Sequence, residues 1–92
     1  MEPLFEWDTG KELNNIRKHG ISFTEAETAL EDEHAVTIED DYPIETRFIT
    51  LGIDETGRVL VVVYTYRGEV IRIISARKAT SAERAIYKSE LT

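Results

Sequence analysis

Apolar and polar residues change their spacing along this chain, and the changes divide it into elements. Leu4 to Trp7 alternates apolar and polar side chains, the period of a short edge strand. From Asp8 the spacing lengthens to that of a helix. Asp8 reads as an N-cap, Leu13, Ile16 and Arg17 fall on one face, and Gly20 follows His19 as a C-terminal stop. Ser22, Phe23, Thr24 and Glu25 then form a capping-box pattern, in which Ser22 and Glu25 each satisfy the other's backbone N–H. It opens a second helix with Phe23, Ala26, Ala29 and Leu30 at helical spacing, which fades in Glu31, Asp32 and Glu33.

The second half has the period of strands. Ala35–Glu39 reads as a weak strand and Thr46–Ile53 as a better one. Residues 54–57 have turn composition, and the apolar, β-branched run Val59–Tyr66 suits a central strand buried on both faces. Arg67 and Gly68 are read as a two-residue hairpin loop into a strand from Glu69 to Arg77. Thr80 to Glu83 repeats the capping-box pattern and starts a helix carrying Ala82, Ala85, Ile86 and Tyr87. The expected fold class is α+β: an antiparallel sheet of three or four strands, packed by two N-terminal helices and a C-terminal helix. With these loops, Tyr64 pairs with Ile71 and Arg47 with Tyr64, so Arg47, Tyr64 and Ile71 form one row. Phe48, Val63 and Arg72 form a row on the opposite face. A slip of one residue would exchange the faces.

Ninety-two residues suffice for one domain, 1–92, and not for two. With 41% hydrophobic and 32% charged residues, a disordered chain is excluded. There is no cysteine, so disulfides and thiolate metal sites are out of reach. No apolar run nears the ~20 residues that span a bilayer, and the start lacks the pattern of a signal peptide, so the expected location is cytoplasmic. The net charge of −7 argues against nucleic-acid binding taken alone. Its distribution changes that. Residues 1–46 hold 13 acidic and 3 basic side chains, whereas residues 47–92 hold 5 acidic and 8 basic, six of them arginines. A local basic surface on an acidic protein is one reading; solvated strand and helix charges are the other.

Several blocks together resemble one known family. Phe5 to Asp8, Asn15, Lys18-His19-Gly20, Ser22-Phe23 and Ala26 stand in the order and spacing of the first half of the BrnT toxins. Arg47, Leu60 to Val63, Arg67-Gly68 and above all the run Arg72 to Arg77 match the second half, completed by Ala79-Thr80, Glu83-Arg84 and Tyr87. The resemblance implies a small RelE-like domain and a metal-independent endoribonuclease that inhibits translation and needs no cofactor. It also implies neutralisation by a cognate, BrnA-like antitoxin that binds DNA, so that DNA is met only through that complex. A homodimer within the toxin–antitoxin hetero-oligomer belongs to the same expectation. Two departures stand out: Tyr64 to Gly68 reads Tyr-Thr-Tyr-Arg-Gly where many relatives read His-Thr-Glu-Arg-Gly, and Ser81-Ala82 replaces more basic residues.

Cleaving RNA without a metal means activating a 2′-hydroxyl, stabilising a phosphorane and protonating the leaving 5′-oxygen. Arginine suits the second task, because its planar fork matches phosphate and stays charged. Arg72 and Arg77 are the leading candidates, Arg72 because it interrupts an apolar strand. Arg47, Lys18 and Arg67 are candidate phosphate ligands beside them. His19 is the natural titratable candidate; its other reading is a cation placed at a helix C-terminus. Tyr64, like Tyr66 and Tyr87, either positions a base or proton or belongs to the core. Glu83 is better explained by capping, His34 by solvent, and two histidines without a paired spacing argue against a metal site. Against the nuclease stands a binding-only component that strengthens an antitoxin's repression of its own operon, favoured by the acidic bias and the Tyr64 and Tyr66 departures. A third reading is a free-standing structural domain.

Overall fold

The computed structural model describes residues 3–41 and 43–91. Its elements run β1 (Leu4–Glu6), α1 (Thr9–His19), α2 (Phe23–Leu30), β2 (Val36–Asp41), β3 (Thr46–Ile53), β4 (Val59–Arg67), β5 (Val70–Lys78) and α3 (Ser81–Ser89). All five strands join one sheet in the order β1-β5-β4-β3-β2. Four of them form the expected antiparallel meander. β1 adds a fifth, parallel to β5, pairing Leu4 with Val70 and Glu6 with Arg72. The α+β class holds, and among the described residues the sheet has five strands. The alternation at Leu4 to Trp7 marks the strand itself, whereas its pairing with a partner so distant in sequence leaves no local signal.

Local chemistry sets the helix ends. The Asp8 carboxylate accepts from the Lys11 N–H at 2.9 Å, and Gly20, at φ 72°, donates its N–H to Ile16. Ser22 with Glu25 and Thr80 with Glu83 both close as capping boxes. Helix α2 buries Phe23, Ala26 and Ala29 completely against Leu60, Val62, Tyr64, Ile71 and Ile73, which forms the core on the first face of the sheet. Gly52 belongs to this contact: a Cβ there would stand 2.2 Å from the Ala29 carbonyl oxygen, so α2 and β3 approach closely only without a side chain.

Helix α1 departs from its expected packing. Leu13 and Ile16 are 56% and 42% exposed, and the buried residue is Asn15. The Asn15 amide donates to the Ile21 and Ala76 carbonyls at 2.8 Å each, and its oxygen accepts from the Ala76 N–H at 3.1 Å. Because β1 pairs with only the first residues of β5, this amide takes the place of a neighbouring strand beside Ala76. Glu12 adds a second polar anchor, accepting from the Phe23 N–H at 2.9 Å.

Both hairpin registers differ from the expected ones. The β4–β5 loop is Gly68-Glu69, with Arg67 paired to Val70 and Tyr64 to Ile73. Gly68 has φ 61°, so it fills the first central position, where glycine alone is comfortable. An Arg67-Gly68 loop would have required positive φ at arginine. The β3–β4 loop closes over Glu55, Thr56 and Gly57, whose φ is 91°, and Phe48 rather than Arg47 pairs with Tyr64. That one-residue slip moves Arg47 to the face opposite Tyr64. A bulge between Val63 and Tyr64 completes the change: Tyr64 meets Ile73 and Val63 meets Ser75, leaving Ile74 as the extra residue.

A cationic sheet face as candidate functional site

The bulge decides which arginines can act together. Arg72 and Arg77 are five apart, so in a regular strand they would point to opposite faces. With Ile74 inserted between them, Arg72 opposite Thr65, Ser75 opposite Val63 and Arg77 opposite Val61 all lie on the second face, away from the α2 core. Arg47 on β3 joins that face one step beyond the Phe48–Tyr64 pair, opposite Asp40 of β2. Two strands, β3 and β5, therefore contribute three guanidiniums to one side of the sheet. The arginines predicted from sequence are brought to one face, by a different register from the one expected.

Each guanidinium is held by a carboxylate. Arg72 Nη1 donates to Glu6 at 2.5 Å, across the β1–β5 pair. Arg77 grips Glu83 of α3 with two donors at 2.8 and 2.9 Å. The weaker pair joins Arg47 Nε and Glu45 at 3.3 Å, beside a hollow of about 550 Å³ lined by Pro43, Ile44, Glu45 and Arg47. These pairs remain partly open to solvent, where an ion pair is worth ~0–1 kcal/mol, so a phosphate can displace the carboxylate at small cost. Glu6→Gln is accordingly expected to tighten binding of a phosphodiester probe about two- to fivefold, measured by fluorescence anisotropy. Weaker binding by that variant would contradict the displacement.

Lys18 and His19 approach the same strand from the edge. With Lys11, Asn14, Asn15, Ile74 and Ser75 they line a groove of about 210 Å³, and both are exposed at the end of α1. Ser75 is the common residue: it lies between Arg72 and Arg77 on the second face and also faces this groove. Sequence reasoning missed it, since an isolated serine in a strand carries no signal until the bulge is known. Arg67, exposed at the hairpin end of β4, lies on the same second face, two residues beyond the Thr65–Arg72 pair and away from the groove.

Tyr64 is not brought to the arginines. It is 7% exposed on the core face, stacks on Phe48 at 5.7 Å between ring centroids, and shares a hydrogen bond of 2.9 Å with Thr50. The slip in β3–β4 register separates it from Arg47, Arg72 lies on the opposite face in either register, and the core reading of this tyrosine holds. Tyr66 lies half-exposed against the same rings, and Tyr87 is buried with its hydroxyl donating to Asp32. His34 is exposed beside Glu33. Among the described residues, no group of three or more histidines and acids is arranged to hold a metal ion, and no helix is long and apolar enough to cross a membrane.

Glu83 does two jobs. Its pairing with Arg77, helped by the Thr80 N–H, lowers its pKa from 4.5 to about 2. Tyr87 is shifted the other way, from 10.0 to about 12, by burial and by its bond to Asp32. Since the folded Glu83 binds its proton more weakly, its contribution is present above pH 4.5 and is lost as pH falls toward about 2. For Tyr87 the contribution is present below pH 10 and is lost as pH rises through about 12. The anchoring of α3 is thus lost at both extremes. Glu83→Gln keeps the cap but not the ion pair, so its melting temperature is expected to fall less steeply than the wild type's between pH 4.5 and 2. Parallel slopes in thermal melts would count against the pairing.

These features define a small α+β domain with a cluster of cations on one sheet face. Its fold matches a crystal structure of the Brucella abortus ribonuclease toxin BrnT with a TM-score of 0.70 and 24% identity, over 87% of this chain and 100% of that one. The family model described as the ribonuclease toxin, BrnT, of type II toxin–antitoxin systems matches residues 7–83, and the chain belongs to that family. The resemblance carried by the Lys18-His19-Gly20 and Arg72–Arg77 blocks is therefore borne out. No curated protein matches the sequence.

Proposed function

We propose that this protein is an active, metal-independent endoribonuclease, the toxin of a toxin–antitoxin pair, acting on cytoplasmic RNA to inhibit translation. The observation that carries this reading is the bulged strand, which sets Arg72, Ser75 and Arg77 on one face next to the groove of Lys18 and His19. The backbone phosphate of RNA exchanges with Glu6 and Glu83 for the forks of Arg72 and Arg77. Arg47 and Lys18 hold flanking phosphates, and Arg67 is an outlying cation.

Attack of the 2′-oxygen on phosphorus then places a second negative charge between fixed cations, which favours the phosphorane over the ground state. The 2′-proton passes to a base, with His19 the imidazole that lines the groove with Ser75, and the 5′-oxygen leaves as a hydroxyl after taking a proton. The products are a 2′,3′-cyclic phosphate and a free 5′-hydroxyl. A cognate antitoxin holds the enzyme in check and carries the pair to DNA.

One observation favours the binding-only alternative. All three arginines are already neutralised by acids, on a chain of net charge −7. Incubation of purified protein with RNA in EDTA separates the two. Fragments ending in cyclic phosphate support the nuclease; intact RNA in the presence of folded protein supports the co-repressor.

A further inference from the structure

We propose that the outer edge of β2 docks a partner segment in which apolar and basic residues alternate, added as a sixth strand. β2 ends the sheet, and among the described residues it pairs only with β3. Its residues divide by face. Val36, Ile38 and Asp40 lie on the second face, opposite Leu51, Ile49 and Arg47, while Thr37, Glu39 and Asp41 lie on the first. An edge with three successive acids repels acidic strands and attracts basic ones.

The apolar half of the argument is a trough of about 200 Å³. Val36, Ile38, Ile49, Leu51, Val61 and Ile86 line it, with Glu83 at its rim. Ile38 is 60% exposed and Ile86 51%, so β2 and α3 leave apolar surface open side by side. A strand laid along β2 would hydrogen-bond its free backbone edge, set its own apolar side chains beside Val36 and Ile38, and set basic ones beside Glu39 and Asp41. A second copy of this chain fits poorly, because the same edge brings the same acids and a further charge of −7. The toxin–antitoxin reading enters only to say which protein bears the segment, namely the antitoxin.

The test uses the full chain and a short synthetic peptide in which valine and lysine alternate, with a valine–glutamate peptide as control. The lysine peptide is expected to bind, to slow hydrogen exchange at the β2 amides, and to weaken as salt rises. Ile38→Lys, a change at an exposed site, should lower that affinity about tenfold or more, while RNA cleavage stays at the wild-type level. Equal binding of the glutamate peptide, unchanged affinity in Ile38→Lys, or protection confined to other strands would overturn the proposal. So would a dimer joined through β2 in the absence of peptide. Peptide binding by a protein that leaves RNA intact removes the nuclease reading alone; RNA cleavage without peptide binding removes this inference alone.

Discussion

Arg72→Ala and Arg77→Ala are each expected to reduce RNA cleavage about a hundredfold or more, the usual effect of removing one donor aimed at developing charge. Circular dichroism should show both variants folded. Their ion pairs with Glu6 and Glu83 are partly exposed, and losing such a pair costs ~0–1 kcal/mol. Lysine at either position keeps the charge and loses the fork, so Arg72→Lys and Arg77→Lys should recover part of the activity and not all of it. Expression in cells gives the same ranking: growth arrest from the wild type, and relief in the alanine variants. A double alanine variant that cuts RNA at the wild-type rate would remove the sheet face from the mechanism. Because both arginines hold one phosphorane, the two losses should not add.

What could be read from the sequence is whatever a few adjacent residues decide. Asp8, Gly20 and the two capping boxes fixed the helix ends, and the bounds of β3 came out residue for residue, because caps and alternation act within one turn or one strand. Pairing between strands depends on loops, and there single residues mattered. Gly68 at positive φ favours Gly68-Glu69 over Arg67-Gly68, since only the former puts glycine at the first central position. The shorter loop at Gly57 then reversed Arg47 and Phe48. The bulge at Ile74 had no local sign at all: neither glycine nor proline stands in Ile73, Ile74 and Ser75. The arginines were identifiable as residue types, whereas their common face was not. The same holds for Glu6 and Glu83, which meet their arginines only through β1–β5 pairing and the docking of α3.

Asn15 is expected to be the most sensitive polar residue of the fold. Helix α1 presents Leu13 and Ile16 largely to solvent, so it has few apolar contacts to hold it and relies on the Asn15 amide and Glu12. In Asn15→Ala the Ala76 N–H and the Ala76 and Ile21 carbonyls lose their partners. Buried polar groups left in that state cost about 1–3 kcal/mol each, less where water enters, so a total near 3 kcal/mol is expected. In a domain of this size that lowers Tm by about 10 °C or more, from a total stability of ~5–15 kcal/mol. Asn15→Asp tests the geometry more sharply. It keeps an acceptor for the Ala76 N–H but turns both donors into a carboxylate facing two carbonyl oxygens, so it should destabilise at least as much despite its near-identical shape. The effect carries into the site, because α1 ends in Lys18 and His19, and Asn15 ties it to Ala76, next to Ser75. Cleavage measured well below Tm should therefore fall in Asn15→Ala as well. If both variants melt within about 0.5 kcal/mol of the wild type, the range of neutral surface changes, α1 is held by something other than this amide.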